Sequence, residues 1–118
     1  MGNLYRFVEP VVLLLLKRKV SSYGYDLSAE LQDYALTDAE IDRAALYRTL
    51  RQLEANGMVS SDWQLHNGAP ARRIYKLTAR GERHLQEWAA VLNKVSKSMA
   101  RFVDQARKLQ KARVASKK

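Results

Sequence analysis

The stretch Ala44-Ala-Leu-Tyr-Arg-Thr-Leu-Arg-Gln-Leu-Glu-Ala-Asn-Gly57, followed directly by the alternating segment Met58 to Leu77, decides the fold. Leu46, Leu50 and Leu53 fall at i, i+4 and i+7, so one face of a helix is core. Tyr47, Arg48 and Arg51 lie elsewhere on the same helix, where they are solvated or meet a partner. Asn56-Gly57 supplies the usual left-handed stop. A helix with an apolar inner face and an aromatic-plus-arginine outer face, then a basic hairpin, suits a DNA major groove and its flanking phosphates.

Two strands follow the helix. In 58–66, Val59, Trp63 and Leu65 share one face and Ser60, Asp62 and Gln64 the other. Asn67-Gly-Ala-Pro70 reads as the turn, and in 72–77 Arg73, Tyr75 and Leu77 alternate with Arg72, Ile74 and Lys76. A lone hairpin is marginal in water, so it is expected to lean on the helices through a buried Trp63. Arg72 and Arg73 point to opposite faces, and Arg72 is the better phosphate candidate because Arg73 shares a face with Tyr75 and Leu77.

Upstream, a first helix is expected over about 8–19, with Pro10 tolerated in its first turn. Its core, Val11-Val-Leu-Leu-Leu-Leu16, is too short to span a bilayer and is followed by Lys17-Arg-Lys19 rather than a cleavage site. It reads as a helix buried on all sides. Ser21 or Ser22 is a candidate cap for a second helix over 23–34, in which Leu27 and Leu31 face inward and Tyr23 and Tyr25 pack at the entrance. Either Thr37, in a capping box with Glu40, or Asp42 starts the third helix.

Downstream, Thr78 caps a long helix. Leu85, Trp88, Leu92, Val95, Met99, Phe102, Ala106 and Leu109 recur at alternating steps of three and four residues, an unbroken heptad seam. The first helix can cover part of this stripe; the half from Met99 onward has no partner in the chain, which implies a homodimer. The expected organisation is a DNA-binding domain over 1–77, a dimerisation helix over 78–112 and a basic disordered tail over 113–118.

Composition narrows the function classes. The 118 residues contain no cysteine and two histidines, so no disulfide, thiolate metal site or redox switch is available, which suits a cytoplasmic location. His66 and His84 are far apart and read as exposed and uninvolved; no metal or cofactor is expected. No nucleophile–base pair, carboxylate pair or phosphate-cradling glycine loop argues for an enzyme. The net charge of +9 is unevenly placed: residues 20–42 hold six acidic side chains and no basic one, whereas 94–118 hold nine basic and one acidic. A basic surface favours polyanions and gives salt-dependent affinity.

Three helices, a two-stranded β wing and a long C-terminal helix make a mainly α winged helix-turn-helix. The sequence resembles the short form of the PadR family of bacterial transcriptional regulators. The resemblance rests on Tyr23-Gly-Tyr-Asp-Leu27, Leu46-Tyr-Arg-Thr-Leu-Arg-Gln-Leu-Glu54, Gly57-Met-Val-Ser-Ser-Asp-Trp63, Gly68-Ala-Pro-Ala-Arg-Arg-Ile-Tyr-Lys-Leu-Thr78 and Gly81, in order over roughly residues 5–90. It implies a homodimeric, effector-responsive repressor on a palindromic double-stranded operator. The implied DNA-contacting residues are Ala44, Tyr47, Arg48 and Arg51 on the third helix, Asn67, Gly68, Arg72 and Arg73 at the wing, and Tyr23. Ala45 stands where the family commonly has a hydroxyl residue, which removes one phosphate hydrogen bond. Trp88 and Leu92 are either ordinary interface residues or walls of a cavity for a small apolar or aromatic effector. Two alternatives remain open at this level: a winged-helix protein-interaction module without specific DNA binding, and a nonspecific chromosome-associated protein.

Overall fold

The computed structural model describes residues 7–19, 21–37, 40–66 and 69–116, with backbone alone for Ser21, His66, Ala69 and residues 114–116. The elements are α1 (Val8–Lys19), β1 (Ser21–Tyr23), α2 (Gly24–Leu31) running into a 3₁₀ turn (Gln32–Tyr34), α3 (Arg43–Ala55), β2 (Val59–His66), β3 (Ala69–Leu77) and α4 (Ala79–Ser116). Two compact units divide the chain, Met1–Gln86 and Glu87–Lys118. None of the described helices is long and apolar enough to cross a membrane.

The core of the first unit is leucine packed on leucine. Leu13, Leu15 and Leu16 of α1, Leu27 and Leu31 of α2, and Leu46, Leu50 and Leu53 of α3 are buried, with Val59 and Tyr75 closing the hairpin side. α1 is not buried all round: Leu14 is 40% exposed and 17–19 are open to solvent. A helix covered by α2, α3 and the sheet still has one free stripe, and Leu14 lies on it.

Asp42 is the start of α3. Its carboxylate accepts the Ala45 amide at 2.7 Å, satisfying one of the donors that a helix N-terminus leaves free; Thr37 lies upstream of the helix. At the other end Gly57 takes φ +75°, the left-handed conformation that ends the helix and feeds β2. Thr78 heads α4 as expected, its Oγ1 accepting the Gly81 amide at 3.0 Å and donating to the Gly57 carbonyl at 2.8 Å.

The sheet has three antiparallel strands in the order β1-β3-β2. Ser21 and Ser22 belong to β1, opposite Lys76 and Tyr75, and do not cap α2; its N-cap is Tyr23, without a side-chain hydrogen bond. The free edge of β3 offers these residues backbone partners, and pairing there outcompetes capping. The strand β3 begins at Ala69 rather than Arg72, and the register slips between Gln64 and His66. Pro70 has no amide proton to give a ladder, which accounts for an irregularity at this point.

Trp63 is 62% exposed and Leu65 85%, against the expectation of a core tryptophan. Alternation does put both on the face that Val59 buries, but the helices reach only the base of the hairpin, where Val59 and Tyr75 sit. Arg73 covers Trp63 instead, its guanidinium 5.3 Å from the ring centroid.

The helix α4 continues through Ser116, so 113–116 are helical rather than a disordered tail; Lys117 and Lys118 lie outside the described residues. Alanine and basic residues favour helix there and the cations complement its C-terminal dipole. His84 is half-buried and hydrogen-bonds Glu9 of α1, contrary to the exposed, uninvolved residue expected. The start of α4 meets α1 through this pair and through Lys17 and Glu82, paired at 2.6 Å.

Candidate nucleic-acid interface

The outward face of α3 carries Ala44, Tyr47, Arg48 and Arg51, at i, i+3, i+4 and i+7. Ala44, Arg48 and Arg51 are exposed and Tyr47 is half-buried. Two acids that could neutralise the arginines are engaged elsewhere: Asp42 caps the helix and Glu54 binds Arg73 at 3.2 Å. Among the described residues, Arg48 and Arg51 have no carboxylate partner. Two outward cations on a helix with a neutral, small residue at its leading turn form a surface that can approach a duplex closely.

Tyr47 owes its position to Gly24. A Cβ built on Gly24 would lie 2.7 Å from Tyr47 Cε1 and 2.9 Å from its hydroxyl oxygen, so the ring rests directly on the glycine backbone at the start of α2. On one side of Tyr47 is a hollow of about 590 Å³ lined by Tyr23, Gly24, Tyr25, Asp26, Tyr47, Arg72, Arg73 and Tyr75. On the other is a hollow of about 540 Å³ lined by Tyr47, Arg51, Glu54, Ala55, Arg73 and Tyr75. The first brings together four tyrosines, two arginines and a single carboxylate. Hydroxyl donors beside guanidinium groups in an open hollow match a phosphodiester oxygen.

The two wing arginines have different surroundings. Arg73 Nε donates to Ser61 Oγ at 2.8 Å and its Nη2 to Glu54 at 3.2 Å, while Ser61 also bonds Glu54. With Trp63 under its plane, Arg73 fastens the hairpin to α3 and its charge is largely cancelled. Arg72 lies 5.8 Å over the Tyr23 ring and pairs with no carboxylate among the described residues. Tyr23 in turn hydrogen-bonds Gln64, the residue opposite Arg72 on β2. Burial pushes the Tyr75 hydroxyl above its ordinary value, with Arg73 pulling the other way.

The structure thus brings Tyr23, Tyr47, Arg72 and Arg73 around one hollow and sets Ala44, Arg48 and Arg51 on the adjoining helix face. Asn67 and Gly68 lie outside the described residues. Sequence reasoning took Tyr25 for a packing residue, but it is 69% exposed and lines the hollow. Gly24, quoted only as part of the Tyr23-Gly-Tyr-Asp-Leu27 motif, has a role that residue order does not give, because its contact is with a residue on another helix. Of the seam, Leu85, Trp88, Leu92 and Val95 are half-buried, whereas Met99, Phe102 and Leu109 are 60%, 73% and 71% exposed.

Comparison with known proteins gives the family and the fold. A model of the transcriptional regulator PadR-like family matches residues 12–87. A PadR family transcriptional regulator from Eggerthella lenta is 29% identical with a TM-score of 0.65, covering 78% of this chain and 80% of its own. A transcriptional regulator from Clostridium thermocellum is 25% identical with a TM-score of 0.71, covering 82% and 90%. Bacillus subtilis PadR, crystallised in complex with operator DNA, shares the fold at 23% identity and a TM-score of 0.62, over 71% of this chain and 47% of that one.

Proposed function

Because the chain belongs to the PadR-like family of transcriptional regulators, we propose that it is a homodimeric repressor that binds a palindromic DNA operator through α3 and the β2–β3 wing. The observation that carries the reading is the outward face of α3, where Arg48 and Arg51 stand exposed while the nearby acids are occupied by the cap and by Arg73. In this reading Arg48 and Arg51 reach base edges or phosphates in the major groove. Tyr47, Tyr23 and Arg72 hold a backbone phosphate in the hollow beside it, and Asn67 and Gly68, between the two wing strands in sequence, are assigned to the backbone. An arginine bidentate to guanine contributes about 1–3 kcal/mol of discrimination.

The exposed Met99, Phe102 and Leu109 support pairing of two α4 helices. Pairing fixes the separation of two α3 helices, and consecutive half-sites on one face of a duplex lie about 34–36 Å apart. An effector would act by changing that separation. Trp88 and Leu92, half-buried within one chain, are the candidate contacts for a flat apolar effector held between protomers.

Selection of bound sequences from a random DNA pool, with sedimentation of the free protein, tests the reading. A palindrome with two half-sites, bound by a dimer, is the expected result. Arg48→Ala should then weaken binding to the selected site about tenfold or more with the fold intact, and Phe102→Glu should give a monomer with much weakened operator binding. Salt-insensitive capture of a protein partner, with no sequence enriched and no effect of Arg48→Ala, would establish the interaction-module reading instead.

A further inference from the structure

The distal part of α4 has a second face, opposite the apolar seam. Lys94, Lys97, Arg101, Lys108 and Lys111 recur at steps of three, four, seven and three residues, which keeps them along one side of a helix. All five are exposed. The position missing from the series is filled by Asp104, which is paired with Lys108 at 3.0 Å. At about 1.5 Å per residue the stripe is about 25 Å long.

A helix surface that serves only solubility mixes signs, because like charges three or four residues apart repel and opposite ones attract. Here Lys94 and Lys97, Lys97 and Arg101, and Lys108 and Lys111 are all like-charged neighbours, and residues 94–118 offer one acid against nine bases. The heptad seam does not require this: pairing through Met99 and Phe102 leaves the opposite side free to carry glutamate. A regularly charged polyanion relieves the repulsion along the whole stripe at once.

We propose that this outer face of α4 is a second DNA-binding surface, sequence-independent, that contacts backbone phosphates outside the segment read by α3. The proposal rests on the DNA-binding reading above and extends it. The phosphates belong either to duplex flanking the operator or to a separate duplex, and the chemistry of contact is the same in both. Duplex DNA is favoured over an anionic membrane because the apolar face that a membrane would need is the same seam that dimerisation covers.

The test uses the full chain and a variant with Lys94→Gln, Lys97→Gln, Arg101→Gln, Lys108→Gln and Lys111→Gln together, checked for helicity by circular dichroism and for association state by sedimentation. Binding is measured by fluorescence anisotropy over a range of salt, on the selected operator alone, on the operator with random 20-base-pair flanks, and on random duplex. The variant should lose at least tenfold in affinity for random duplex, and its salt slope should fall by roughly 0.9 for each phosphate that it no longer neutralises. The operator-to-random preference should be retained or increased, whereas Arg48→Ala should reduce that preference about tenfold or more. Tighter binding to the flanked operator by the wild type alone identifies flanking phosphates; co-capture of a second labelled duplex identifies bridging. Unchanged affinity and slope on every duplex would overturn the proposal while leaving operator recognition standing. So would loss by the variant of binding to vesicles of one-third phosphatidylserine, with DNA binding intact. A wild type that binds no duplex refutes the DNA-binding reading itself.

Discussion

Replacing Gly24 with alanine separates the DNA contact proposed for Tyr47 from its role in the fold. The added Cβ would sit 2.7 Å from Tyr47 Cε1, 2.9 Å from its hydroxyl oxygen and 3.1 Å from Cζ. Carbon atoms settle at about 3.5–4.0 Å, so the ring must withdraw by about 1 Å. What stands in the way is the far end of one flexible, half-exposed side chain rather than backbone, and the ring can swing outward. Gly24 is the first residue of α2, where alanine has a helix preference of up to about 1 kcal/mol over glycine. Stability in urea should therefore stay within about 1 kcal/mol of the wild type. DNA binding should not. A hydrogen bond to a charged group contributes about 1.5–3 kcal/mol, so a hydroxyl pulled off its phosphate should cost roughly 10- to 150-fold in Kd. Anisotropy with the selected operator at fixed salt measures it, run as a double-mutant cycle with Tyr47→Ala. In that background there is no ring to displace, so Gly24→Ala should be silent and the coupling should equal the whole effect. Wild-type affinity in Gly24→Ala, or an equal loss in both backgrounds, would refute the claim that Gly24 acts by aiming Tyr47.

Arg72→Ala should weaken operator binding and lower the salt slope by roughly 0.9. Arg73→Ala should leave the slope unchanged and cost under about 1 kcal/mol of stability, since its bond to Glu54 is partly exposed; anisotropy and urea unfolding of both variants check the contrast. Asp42→Ala removes the cap on the Ala45 amide and should destabilise the fold by about 0.5–2 kcal/mol in urea. Tyr75 gives a pH signature: its hydroxyl titrates above the ordinary 10.0 in the folded protein because burial disfavours the charged form. The folded state then keeps a proton that the unfolded chain releases, so stability should fall as pH rises from 10 through the raised value. Urea unfolding at pH 9 to 11 should show that decline in the wild type and a shallower one in Tyr75→Phe.

What could be read from residue order was what one element decides alone. Leu46, Leu50 and Leu53 define the inner face of α3 by spacing, Gly57 ends it by conformation, and the seam of α4 announces itself by period. What could not be read depends on where elements end against each other. Alternation put Trp63 on the correct side of its strand, but how far the helical layer reaches beneath the hairpin is a property of the packed body, and Trp63 lies beyond its edge. The three-residue strand β1 has no period of its own; it exists because β3 has a second edge to fill. His84 and Glu9 are 75 residues apart and meet only when α4 docks on α1.

The same distinction explains why Arg72 and Arg73, adjacent and chemically identical, have different prospects at a duplex. Strand geometry sends them to opposite faces, and that much is legible. Their fates are then set by neighbours from distant sequence. Glu54 and Ser61 wait for Arg73 with a full complement of acceptors, so bringing a phosphate to it would require breaking bonds already made. Arg72 meets an aromatic face, which holds a cation without neutralising it. A guanidinium held in that way keeps its donors for an incoming anion. Tyr23 therefore does for Arg72 what Gly24 does for Tyr47: each sets the position of a side chain that the proposed DNA contact uses, and neither relationship is visible until the start of α2 is seen beside α3 and the wing.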